Sequence, residues 1–146
     1  MSLTINKMLG ESTLVDKKDV VDSFVARELD VKGDLYFDYN LGSVWINRSI
    51  RASGSIVVSK GTYLHVDGDI LAGNNIVTDE FLGAEGKMVA RNEIRAKQGL
   101  DARFIKAVNI HCTWARAGKV SGKLDGEFEC TSNNVYSKVI THNRLF

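Results

Sequence analysis

At 146 residues the chain is about one domain, long enough to bury its own core. With 44% apolar and 25% charged residues and a net charge of +1, it reads as an ordinary globular protein, and no nucleic-acid partner is expected from so little positive charge. No apolar run reaches the roughly 18 residues of a membrane-crossing helix, the opening "MSLTINKMLGESTLV" lacks a secretory core, and two cysteines make no disulfide framework, so a cytoplasmic protein without a transmembrane segment is expected.

Residues 1–28 read as an N-terminal cap segment. Within "DKKDVVDSFVARELD", residues 16–30, Val20, Val21, Phe24 and Val25 fall on one helical stripe. The same stretch alternates well enough for an irregular first coil. Both readings stand open, a short amphipathic helix capping the first coil or the coil itself.

From Leu29 onward the chain repeats a block of thirteen residues. "LDVKGDLYFDYNL" starts at Leu29, "VWINRSIRASGSI" at Val44, "LHVDGDILAGNNI" at Leu64 and "MVARNEIRAKQGL" at Met88. "FIKAVNIHCTWAR" from Phe104 and "GKLDGEFECTSNN" from Gly122 follow as weaker copies. Their seventh places, Leu35, Ile50, Ile70, Ile94, Ile110 and Phe128, are all apolar, and the even places are mostly polar. That is the period-two pattern of a strand with one buried face. Place-for-place identity has no purpose in an antiparallel meander, but it stacks side chains directly in a parallel solenoid. The expected fold is therefore all-β, a single-stranded parallel β-solenoid (β-helix) of about six coils over residues 29–134, with 135–146 as a C-terminal tail or partial last coil. The uneven block spacing suggests loops of different size pushed out between equivalent strands, the longest at 78–87, "TDEFLGAEGK".

The chain has no catalytic signature and is expected not to be an enzyme. His65 and His111 fall at even, outward places and His142 in the tail, with no HxH or HxxxxH spacing. No metal, no cofactor and no catalytic residue is expected. Cys112 and Cys130 share the ninth place of adjacent copies, where stacked neighbours would come within disulfide range; two small buried thiols are the plainer reading. The acidic sixth places Asp34, Asp69, Glu93 and Glu127 are broken by Ser49 and Asn109 and lack the calcium-binding rhythm. Apolar residues at outward or loop positions remain as contacts: Phe24, Trp45, Phe81, Leu82, Trp114 and Phe146. Val89 and Ile105 share the outward second place with Trp45 and could align with it in a stripe.

The strings "VDGDI", "IRASGSI" and "ILAGNNI" resemble those of bactofilins, bacterial polymer-forming β-helix proteins of similar size, over residues 29–134. The chain differs from them in lacking proline and in its uneven spacing. The resemblance implies end-to-end polymers, head to head and tail to tail, without a bound nucleotide or a catalytic residue. The leading functional expectation is a structural protein forming a homo-oligomer or polymer through solenoid ends or an exposed apolar face. The alternative is a protein-binding module using the 78–87 loop and a flat face. A trimeric left-handed β-helix enzyme ranks third, since the strict six-residue repeat is absent.

Overall fold

The computed structural model describes residues 12–25 and 29–131. They form one parallel sheet wound into a three-sided solenoid. The first coil contributes β1 (Thr13–Val15), β2 (Phe24–Val25) and β3 (Leu29–Val31), one strand to each side. The second repeats this with β4 (Leu35–Phe37), β5 (Gly42–Ile46) and β6 (Ile50–Ala52), and the third with β7 (Ile56–Val58), β8 (Thr62–Val66) and β9 (Ile70–Ala72). The fourth has β10 (Ile76–Thr78), β11 (Leu82–Ala84) and β12 (Lys87–Ala90), and the fifth begins with β13 (Glu93–Ala96) and β14 (Gly99–Asp101). β15 (Phe104–Ala117) and β16 (Lys119–Cys130) run through successive sides as long continuous strands. We call the sides face 1 (β1, β4, β7, β10, β13), face 2 (β2, β5, β8, β11, β14) and face 3 (β3, β6, β9, β12), each extended by parts of β15 and β16.

Of the two readings of residues 16–30, the described residues bear out the first coil and contain no capping helix. Asp16 caps a single 3-10 turn, Lys17–Asp19, and the chain then enters β2, which lies parallel to β5. Phe24 points outward and Val25 inward, so the alternating pattern prevails over the helical one. Burying Val25 against the second coil gains more than one isolated helical turn would.

The coils shrink steadily. On face 1, Thr13 stands opposite Leu35, and Leu35, Ile56, Ile76, Ile94, Ile110 and Leu124 follow one above another. Successive coils therefore take 22, 21, 20, 18, 16 and 14 residues. The core explains the taper. From the second coil to the fifth each side sends two side chains inward, and the first stays large, as valine, leucine, isoleucine or methionine. From the second coil on, the second falls in size: Phe37, Val58, Thr78 and Ala96 on face 1, and Ile46, Val66, Ala84, Ala102 and Ala117 on face 2. On face 3 it is Val31 in the first coil and then Ala52, Ala72, Ala90 and Ala107. Since interiors fill to near-crystal density, smaller inward side chains close a smaller triangle.

The taper corrects the picture of extruded loops. Residues 78–87 form an ordinary corner and strand, with Leu82 fully buried opposite Leu64 and Leu100. It also shows that several blocks match one face out of step. Leu64 stacks on Leu82 and Met88 on Ile70, so the copies starting at Leu64 and Met88 begin on different faces. Every face has the same in–out–in grammar, which makes them indistinguishable by pattern alone.

Side chains tie the corners together. At the turn into face 1, Ser12 Oγ accepts the Asp34 N–H (3.3 Å), Asp34 Oδ1 the Ser55 N–H (2.8 Å), Ser55 Oγ the Asn75 N–H (3.2 Å) and Asn75 Oδ1 the Glu93 N–H (3.1 Å). At the turn into face 3, Ser49 Oγ accepts the Asp69 N–H and Asp69 Oδ1 the Lys87 N–H. Asp34 and Asp69 therefore serve as acceptors for backbone donors that the corner leaves outside the sheet ladder. A side chain at Gly54 or Gly86 would collide with these aspartate oxygens.

Candidate functional site

The outward positions of face 2 carry the largest cluster of aromatic side chains. In register along one column stand Phe24, Trp45, His65, Gly83, Asp101 and Arg116. Phe24 and Trp45 have ring centroids 6.3 Å apart, and Trp45 and His65 4.1 Å apart. Tyr63 flanks this column on the same strand as His65. Gly83 is a notch, because a side chain there would stand 3.2 Å from the Phe81 ring and 3.3 Å from His65 Nδ1. Phe81 closes over the notch and stacks on Trp114 at 5.7 Å. The result is a strip of rings from the first coil to the sixth. Phe24 (45% exposed), Tyr63 (42%) and Trp45 (39%) form its open part.

Fixed charges edge the strip. His65 Nε2 lies 3.1 Å from Glu85 Oε2 and 3.7 Å from Asp67 Oδ1. Arg116 lies 3.9 Å from Asp101. His65, Phe81, Glu85, Asp101, Arg103 and Arg116 line a shallow depression where strip and charges meet. The other faces differ. Face 1 presents Leu14, Tyr36, Val57 and Val77 and then turns charged with Arg95, His111 and Asp125. Face 3 presents Asp30, Arg51, Leu71, Val89, Lys106 and Ser121.

Four of the contact residues expected from sequence, Phe24, Trp45, Phe81 and Trp114, thus share face 2. Leu82 belongs to the core, and Phe146 lies outside the described residues, as do residues 132–146 and His142. Val89 points outward on face 3 and Ile105 is buried there, so neither joins Trp45 in a stripe. Tyr63 was not singled out, and His65, read as an outward residue, was not placed beside Trp45. The 20-residue step from Trp45 to His65 is one coil length, a signal only once that length is known. The carboxylates beside His65 were missed as well: Asp67 is two residues along and Glu85 comes from the next coil.

Cys112 and Cys130 do not stack. Cys130 stands opposite Ala117, Gly126 approaches the Cys112 carbonyl, and neither thiol is in a disulfide. Burial, with Asp125 adding to it, pushes the Cys112 thiol up to about 12, the reverse of an activated nucleophile. Glu80 is buried at a corner, where it accepts the Gly61 N–H (2.9 Å) and Gln98 Nε2–H (2.7 Å), a structural role.

Fold and surface define a parallel β-solenoid with one aromatic face. No described helix is long and apolar enough to cross a membrane. No protein-family model, curated protein or solved structure matches the chain.

Proposed function

We propose that this protein is a non-enzymatic assembly protein of the cytoplasm that associates with a second copy of itself through face 2. The carrying observation is the aromatic strip, in which Phe24, Trp45 and Tyr63 are each about two-fifths exposed on one flat surface. Contiguous exposed apolar area of this kind is characteristic of interaction sites, and Trp and Tyr are favoured anchors. A face met by its own copy closes as a twofold dimer. The resemblance of the repeats to bactofilins supports an assembly role. The taper weighs against head-to-tail stacking, while head-to-head and tail-to-tail contacts would set equal coils together; the aromatic strip is what favours the face. Head-to-tail stacking would set a coil of 22 residues against one of 14, and their strands would not meet in register.

Light scattering coupled to size exclusion, over a roughly hundredfold concentration range so that mass action is visible, tests this. The expected result is a dimer that becomes monomeric in Trp45→Asp and in Tyr63→Asp. A wild type that stays monomeric throughout overturns self-association. Mass that grows without limit, with filaments in negative stain, overturns the face in favour of the ends.

The second reading is a binding module for a different protein. The charged rim of Glu85, Asp101, Arg103 and Arg116 favours it, because mixed charges at a rim select partners. A monomer that retains a partner in a pull-down, and loses it on Trp45→Asp, would support this reading.

A further inference from the structure

The rim of face 2 brings together three metal-ligating side chains from two coils. His65 lies on β8, Asp67 follows it at the turn, and Glu85 follows β11 one coil higher. One ligand atom from each lies within 4.8 Å of the other two. Donors around a tetrahedral zinc ion, at bonds of about 2.0–2.2 Å, stand about 3.4 Å apart. Small rotations of the exposed Asp67 and Glu85 carboxylates cover the difference.

The imidazole is held in place by its neighbours. Trp45 stacks on it at 4.1 Å, and Gly83 leaves room for Nδ1 on the side toward the next coil. Nε2 is consequently the nitrogen that faces both carboxylates. His111 makes the contrast. Its Nε2 meets Glu93 and its Nδ1 meets Asp125, so its carboxylates approach two different nitrogens and do not converge. A neutral imidazole nitrogen with two carboxylate oxygens suits zinc and its neighbours in the first transition row better than magnesium or calcium, which take oxygen ligands.

We infer that His65 Nε2, Asp67 and Glu85 bind one divalent transition-metal ion of the zinc class, with water in the remaining positions on the solvent side. The site is complete within one copy and does not depend on self-association. Isothermal titration of the full chain with zinc chloride, paired with the visible absorption of added cobalt(II), tests it. The expected result is a saturable one-to-one isotherm and a cobalt spectrum, both lost in His65→Ala and in Glu85→Gln and both kept in His111→Ala. Circular dichroism of each variant verifies the fold, and Asp67→Asn supplies a third ligand variant. Absence of saturable binding by the wild type overturns the inference, and so does binding that survives His65→Ala and Glu85→Gln.

Discussion

Trp114 lies across Gly99, its indole ring filling the space a side chain there would occupy. The two stand opposite each other on adjacent coils, and from that position Trp114 reaches Phe81 one coil further down. Gly99→Ala should push the indole away and break the Phe81–Trp114 stack. The expected cost is about 1–3 kcal/mol, the usual range for overfilling a close contact. Tryptophan emission should shift with it, so an unchanged spectrum and an unchanged melting temperature would contradict this placement.

The stacked inward residues should be the most sensitive to truncation. Ile70 is fully buried between Ile50 and Met88 in the middle of face 3. Ile70→Ala is expected to cost about 2–5 kcal/mol, from lost transfer energy and the cavity left behind. Val89→Ala, outward on the next coil, should stay within about 0.5 kcal/mol of wild type. Urea unfolding of the pair is the measurement, and equal midpoints would refute the assignment of inward and outward positions.

Asp34 has two separable roles. Its Oδ1 accepts the Ser55 N–H at 2.8 Å, and its Oδ2 accepts the Tyr36 hydroxyl at 3.2 Å. Burial raises the Tyr36 phenol, and the Asp34 charge and hydrogen bond raise it further. Asp34→Ala should lose about 0.5–1.5 kcal/mol for the corner bond. Asp34→Asn keeps an acceptor oxygen and should recover most of that, while removing the charge and bringing Tyr36 down toward its ordinary value. Ultraviolet titration of tyrosine ionisation checks the second effect; a Tyr36 titration that does not move on Asp34→Asn would show that the charge plays no part.

The two thiols should differ in reactivity. With Cys112 pushed up to about 12, almost no thiolate exists at mildly alkaline pH, whereas Cys130 is exposed. Native protein treated with iodoacetamide should take one label quickly, at Cys130, and take the second only after denaturation. Peptide mass spectrometry identifies the site, and rapid labelling of Cys112 in the native protein would contradict its burial.

The alternation of "DILAGNNI" and "NEIRAKQGL" fixes strands with a single buried face, and the recurrence of that grammar fixes a parallel solenoid. Both follow from local chemistry, because period-two burial and Gly, Asn, Ser and Asp at the corners need no knowledge of distant partners. Of the aromatic residues on face 2, the alternation places only Trp45 outward; Phe24 stands on a helical stripe, Phe81 in the 78–87 segment and Trp114 at an odd place of its block. Which face each occupies could not be found in this way. Three faces with one grammar leave the register degenerate, and only simultaneous packing of Leu64 on Leu82 and Ile70 on Met88 resolves it. The same packing sets Cys130 against Ala117 instead of Cys112 and brings Glu85 from the next coil to His65. It also turns a gradual replacement of valine and isoleucine by alanine into a narrowing triangle. Local chemistry alone sets the kind of strand and the kind of stack. Coil length, taper and the company each side chain keeps were decided by the tertiary structure, because they depend on how much volume neighbouring coils must fill together.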